Sequence, residues 1–162
     1  MKHIITIFFI FLSLPAIAEK YCVFTPIKGT EGLGGNRVRN ITQLPDGRMM
    51  IITEGLLNLY DGTDFNYLHY NQKHFCPLSA YSGFHHEYID SHGYMWIKNQ
   101  YQLMVVDIKH ECLVEQPDSL LATWGISSPI KDFFMDKTKN IWIINDKAVS
   151  YTHLRAHETS AH

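Results

Sequence analysis

Displaced by 46 positions the chain lies along itself, and this recurrence restricts the possible folds more than any other feature of the sequence. Val38, Phe84 and Ile130 share a column, as do Gly47, Gly93 and Lys139, then Met50, Trp96 and Trp142, then Ile51, Ile97 and Ile143. Leu44 meets Asp90 and Asp136, Leu57 meets Leu103 and Val149, and Leu59-Tyr60-Asp61 meets Val105-Val106-Asp107. A chain of this kind is an array of like units, each too small to bury its own apolar surface and dependent on its neighbours for cover.

Each unit reads as strands. A short apolar stretch (Val38 to Ile41, Phe84 to Tyr88, Ile130 to Met135) runs into a turn, which is Pro45-Asp46-Gly47, then Asp90-Ser91-His92-Gly93, then Asp136-Lys137-Thr138-Lys139-Asn140. Asp46, Asp90 and Asp136 suit such turns because their carboxylates accept bonds from nearby backbone N–H groups. Gly47 and Gly93 supply a positive φ, a role expected to pass to Asn140 in the third unit, where Lys139 stands in the glycine column. Second stretches follow at Met49 to Ile52, Tyr94 to Ile97 and Ile141 to Ile144; they are almost continuously apolar, as befits strands covered on both faces. Third stretches lie within 55–62 and at Gln102 to Asp107, and fourth stretches at Phe65 to Leu68 and Glu111 to Val114. Four short strands per unit with both sheet faces covered predict an all-β fold, an incomplete β-propeller of about three four-stranded antiparallel blades. The period divides the chain into a lead-in at 19–36, blades at 37–82 and 83–128, and a partial blade at 129–149. Closed propellers need at least about four blades, so the chain is expected to be a fragment.

The two ends read differently. Lys2 and His3, the apolar run from Ile4 to Leu14, Pro15 and then Ala16-Ile17-Ala18 have the order of a secretory signal peptide over 1–18, predicting a periplasmic or secreted mature chain. Cys22, Cys76 and Cys112 then lie where disulfides are permitted, an odd number whose pairing the sequence leaves open. After Val149 the register fails at Thr152-His153, and 150–162 resembles a translated sequencing-adapter read-through, a non-native tail.

The ordered set Gly32-Leu33-Gly34-Gly35-Asn36-Arg37-Val38, Asp46-Gly47, Gly55-Leu56 and Tyr60-Asp61-Gly62, with Ile89-Asp90 through Trp96-Ile97 and Met135-Asp136 through Trp142-Ile143, resembles the two-component regulator propeller repeat. The likeness covers roughly residues 24 to 149; Met50 stands where the family usually has Trp, and Lys98-Asn99-Gln100 replaces the usual Thr and Gly. The resemblance implies the N-terminal periplasmic ectodomain of a hybrid two-component sensor histidine kinase. Such a parent senses an oligosaccharide-type signal, is anchored in the inner membrane, can form a homodimer, and carries its kinase beyond this chain.

Within the chain itself no catalytic residue, cofactor or metal site is expected. The net charge of −2 lacks the basic footprint of a nucleic-acid binder. His85 and His86 alternate in a predicted strand and face opposite ways, so with Glu87 and His92 they read as strand and turn residues and not as ligands of one ion. His69, His74 and Cys76 fall in a connector and could meet only if it folded back. No nucleophile elbow occurs in the mature part, and Asp61, Asp64, Asp132 and Asp136 sit in turn contexts. The structural repeat positions are Asp46, Gly47, Met50, Asp90, Gly93, Trp96, Asp136, Asn140 and Trp142, the tryptophans packing between blades. Tyr81, Tyr101 and Trp124 fall in turns or connectors and are the candidates for stacking on a sugar ring. Two other readings remain: a secreted propeller enzyme such as a polysaccharide lyase or glycosidase, whose acid and base residues would converge from several blades, and a non-catalytic adhesive propeller.

Overall fold

In the computed structural model, which describes residues 23–27, 29–126, 129–145 and 149–152, the apolar stretches form three antiparallel sheets. The first has the order β1 (Val38–Gln43), β2 (Met49–Thr53), β3 (Leu56–Tyr60), β4 (Phe65–His69). The second comprises β5 (Phe75–Pro77), β6 (His86–Ile89), β7 (Tyr94–Lys98), β8 (Gln102–Asp107) and β9 (Cys112–Leu113), ordered β5-β8-β7-β6 with β9 also on β8. A helix, α1 (Pro117–Thr123), leads to the third sheet of β10 (Ile130–Met135), β11 (Ile141–Asn145) and β12 (Val149–Thr152). The fold is therefore mostly β with few helical turns. The signal-peptide segment, Cys22 and residues 153–162 lie outside the described residues, and β12 crosses the boundary placed after Val149.

The sheets stack so that the second is covered on both faces. Met95, Ile97, Met104 and Val106 meet Met50, Ile52, Leu57 and Leu59 of the first sheet. Trp96, Leu103 and Val105, from the alternate positions of β7 and β8, meet Phe133, Met135, Ile141 and Ile143 of the third. Trp96 is wholly buried, with its ring stacked on Phe133 at 4.8 Å and tilted against Trp124 at 5.4 Å. The set Thr42, Met50 and Ile52 recurs 46 positions on as Tyr88, Trp96 and Lys98, and again as Phe134, Trp142 and Ile144. The first two sets face a following sheet. The third is exposed, Phe134 by 53%, Trp142 by 37% and Ile144 by 42%.

In the second and third units one carboxylate closes the turn and reaches the tryptophan six residues on. Asp90 Oδ1 accepts from the His92 and Tyr94 backbone N–H groups, and its Oδ2 accepts from Trp96 Nε1 at 2.8 Å. Asp136 does the same for Thr138, Asn140 and, at 3.0 Å, Trp142 Nε1, contacts that hold its carboxyl well below the usual carboxylate range. In the first unit Met50 has no N–H to give, and Asp46 instead binds the Arg48 backbone and guanidinium.

Three expectations are corrected. The left-handed residue of the third turn is Lys139 itself, at φ 66°, because the turn fixes the position and not the residue type; Asn140 instead donates its side-chain N–H to Asp136. The strand expected over Glu111 to Val114 shrinks to β9, because Gln116 turns left-handed at φ 56° and Pro117 opens α1. The vacated length of β8 is filled from behind: β5, which the period assigns to 37–82, pairs Phe75, Cys76 and Pro77 with Met104, Leu103 and Gln102.

The lead-in also packs. Leu33 is buried, and the Gly34 N–H donates to Asn58 Oδ1 at 2.8 Å. A Cβ on Gly34 would stand 2.6 Å from that oxygen and 2.1 Å from Leu56 Cδ2, so the approach requires glycine. Buried Leu78 and Ile126 likewise precede β6 and β10.

Candidate functional site

The joint between the first two sheets opens at one end into a cleft of about 520 Å³, within the size range of small-molecule sites. Its apolar lining includes Ile52 and Leu57 from the first sheet and Ile97 and Met104 from the second, with Tyr70 of the connector and Phe75 of β5 in edge contact at 5.5 Å. The polar lining comes from Arg39, Thr53, Glu54, His85, Asn99 and Gln100. Phe84 also lines it and is 75% exposed. An apolar surface bordered by amide, hydroxyl and ionic groups suits a ligand with both hydroxyls and a hydrocarbon face.

Local sequence explains the placement. The ladder between β1 and β2 slips between Val38 and Asn40, leaving Arg39 at a bulge instead of in regular register. Glu54 and Gly55 make the two-residue β2–β3 turn, with Gly55 at φ 83°. Ser82 Oγ donates to the Asn99 carbonyl and its backbone N–H to that of Gln100, fixing the β7–β8 turn beside the cleft. The strand expected to start at Phe84 starts instead at His86, which leaves Phe84 and His85 outside β6 to line the opening.

Beneath them lies a buried carboxylate. Glu87 on β6 has a side chain only 4% exposed; Oε1 accepts from Asn40 at 2.6 Å and meets His85 Nε2 at 2.9 Å, while Thr42 donates to Oε2. Asn40 and Thr42 belong to β1, so this one group ties the first strands of adjacent sheets and reaches the cleft wall through His85. Burial alone would raise its pKa, but the hydrogen bonds from His85, Thr42 and Asn40 outweigh it and hold the carboxyl below its ordinary 4.5. A depressed folded pKa contributes stability that is present above the unfolded value and lost as pH falls through the folded one. Glu87→Gln should therefore lower the urea midpoint at neutral pH, with the difference from wild type shrinking as pH drops below about 4. A gap that stays constant down to acid pH would rule out this account.

The predicted stacking residues are not gathered. Tyr81 and Tyr101 form an edge-to-face pair at 6.0 Å, each 54% exposed, beside the β7–β8 turn that supplies Asn99 and Gln100. Trp124 is elsewhere, packed on Trp96 in the core between the second and third sheets. Cys76 is buried in β5 and donates its thiol to Asp118 at 2.8 Å; burial and then that carboxylate push its pKa up. His74 caps its own turn, accepting from the Asn71 N–H at 3.0 Å. Among the described residues no group of three or more His, Cys, Asp or Glu is arranged to hold a metal ion. Arg39, Glu54, Phe84, Asn99 and Gln100 were not marked by the sequence reading. They come from two sheets, and although Glu54 and Gln100 stand 46 positions apart in one repeat column, only the stacking of the sheets brings all five together.

No family model matches the sequence, and no curated protein matches it. Among solved structures the chain is similar to the extracellular domain of a protein described as a one-component system from B. thetaiotaomicron. The likeness has 19% identity and a TM-score of 0.39, and it covers 74% of this chain but 17% of that one, so this chain spans about a sixth of its length.

Proposed function

We propose that this chain is part of an extracytoplasmic sensing propeller that binds an oligosaccharide-type signal in the cleft between its first two sheets. The observation that carries this reading is the cleft itself: an apolar surface with Phe84 open to solvent and amide and ionic groups of Arg39, Glu54, His85, Asn99 and Gln100 around it. Sugars are held by that combination of ring stacking and hydrogen bonding. The propeller reading draws on the stacked sheets and on the outward set Phe134, Trp142 and Ile144, which a further sheet would cover as the second and third cover its counterparts. Occupancy would act by favouring one arrangement of sheets over another, through differential affinity for the two. The resemblance to the two-component regulator repeat extends the proposal to a parent anchored in the inner membrane, able to dimerise, with its histidine kinase beyond these residues and no chemistry performed here.

A panel of neutral and acidic oligosaccharides, titrated against the full chain with intrinsic fluorescence as the readout, tests it. Saturable binding that Phe84→Ser and Asn99→Ala weaken is expected. Binding of no member of the panel, or binding untouched by both substitutions, would remove the cleft as the sensing site. Release of new reducing ends during the titration would favour the propeller-enzyme reading instead.

A further inference from the structure

The geometry points to a uronic-acid-bearing oligosaccharide as the ligand class of this cleft, with Arg39 and His85 as the groups that recognise the carboxylate; the inference rests on the sugar reading above. Arg37 and Arg39 each reach Glu54 at 3.2 Å, and one carboxylate cannot neutralise two guanidinium groups. These three groups, of which Arg37 stands just outside the cleft lining, therefore carry one surplus positive charge beside the opening. All three side chains are more than half exposed, where an ion pair contributes little and is readily exchanged. An incoming carboxylate can take the Arg39 fork in two parallel hydrogen bonds, a geometry Glu54 does not use.

His85 supplies the second contact. Its Nε2 faces the fixed Glu87 carboxylate, which keeps a proton on that nitrogen. Nδ1 has no protein partner among the described residues; it is an acceptor on the neutral ring and a donor on the protonated one. Protonation therefore turns the His85 contribution from one that suits a hydroxyl into one that suits an anion. The charged groups about it are Glu87 on the adjoining strand and Arg39 and Glu54 across the cleft. Lys98, opposite His86 on the β6–β7 ladder, is turned away to Asp132 and the Ser82 carbonyl. Glu87 is buried and engaged by three side chains, which limits its opposition to a second carboxylate nearby.

Trigalacturonate and its methyl ester, the same trisaccharide with its charges removed, separate the ideas when titrated against the full chain. The acid is expected to bind about tenfold more tightly than the ester, as one charge-assisted contact would give. Arg39→Gln should reduce the margin about tenfold, and its side chain is more than half exposed, so this variant tests recognition and not folding; His85→Gln should reduce the margin by a smaller factor, with its urea midpoint measured alongside because His85 also bonds Glu87. Equal binding of acid and ester, or a margin that survives Arg39→Gln, overturns the uronate inference and leaves the sugar reading standing. Binding of neither overturns the inference, and the broader panel then decides the sugar reading separately.

Discussion

Replacing Trp96 by alanine is expected to cost about 3–5 kcal/mol, as large-to-small changes at buried aromatic sites do, and to leave no cooperative unfolding transition. The side chain is wholly buried, stacks on Phe133, packs tilted against Trp124, and its N–H binds Asp90 Oδ2. Truncation would empty the space between the second and third sheets and strand one carboxylate oxygen of the turn. Set against a typical total stability of about 5–15 kcal/mol, the loss approaches the whole margin. Trp96→Phe separates the two contributions, since it keeps most of the stacking area and loses only the hydrogen bond, for a cost of about 1–3 kcal/mol. Urea unfolding followed by tryptophan fluorescence and by circular dichroism checks both. A Trp96→Ala chain that melts like wild type would mean that the stacked interface does not hold these sheets together.

The second large effect concerns a charge inside the same joint. Lys98 Nζ, on a side chain 5% exposed, donates to Asp132 Oδ1 at 2.6 Å and to the Ser82 carbonyl at 2.8 Å. Removing one partner of such a pair leaves an uncompensated ammonium, at a cost of about 3–5 kcal/mol for fully buried pairs. Asp132 is 34% exposed, so water can partly replace it, and Asp132→Ala should fall near the low end of that range, about 3 kcal/mol. Lys98→Met removes the charge and keeps the aliphatic stem, so it should be close to neutral despite deleting the same ion pair. Equal losses from the two substitutions would show that the pair itself, and not the stranded ammonium, sets the energy.

How much of this was legible follows from what each feature depends on. The β2 and β7 strands were readable because residues covered on both faces must be apolar at successive positions, β11 because its apolar run repeats theirs although its Trp142 and Ile144 face is exposed, and the Asp turns because backbone geometry demands them locally. The first strand of the second unit was placed two residues early: Phe84 and His85 look like strand residues, and only their position outside the ladder makes them part of the cleft. Leu33, Leu78 and Ile126 escaped the 46-residue comparison because their distances to the following strands differ, although each is buried in the same role. The cleft depends on contacts between β1, the β2–β3 turn, the start of β6 and the β7–β8 turn, which no single repeat contains. Glu87 was weighed as an ion ligand beside His85; its partners Asn40 and Thr42 lie more than forty positions away and carry no spacing signal.

Because β5 belongs by sequence to the first unit but by hydrogen bonding to the second, neighbouring units are dovetailed and not merely stacked. The strap is pinned again where the Gln116 N–H meets the Lys73 carbonyl and where Cys76 meets Asp118. A protease cut between Asn71 and Leu78 would thus unfasten the outer edge of the unit that follows, and traction applied to β4 would pass to β8 through the backbone hydrogen bonds of β5.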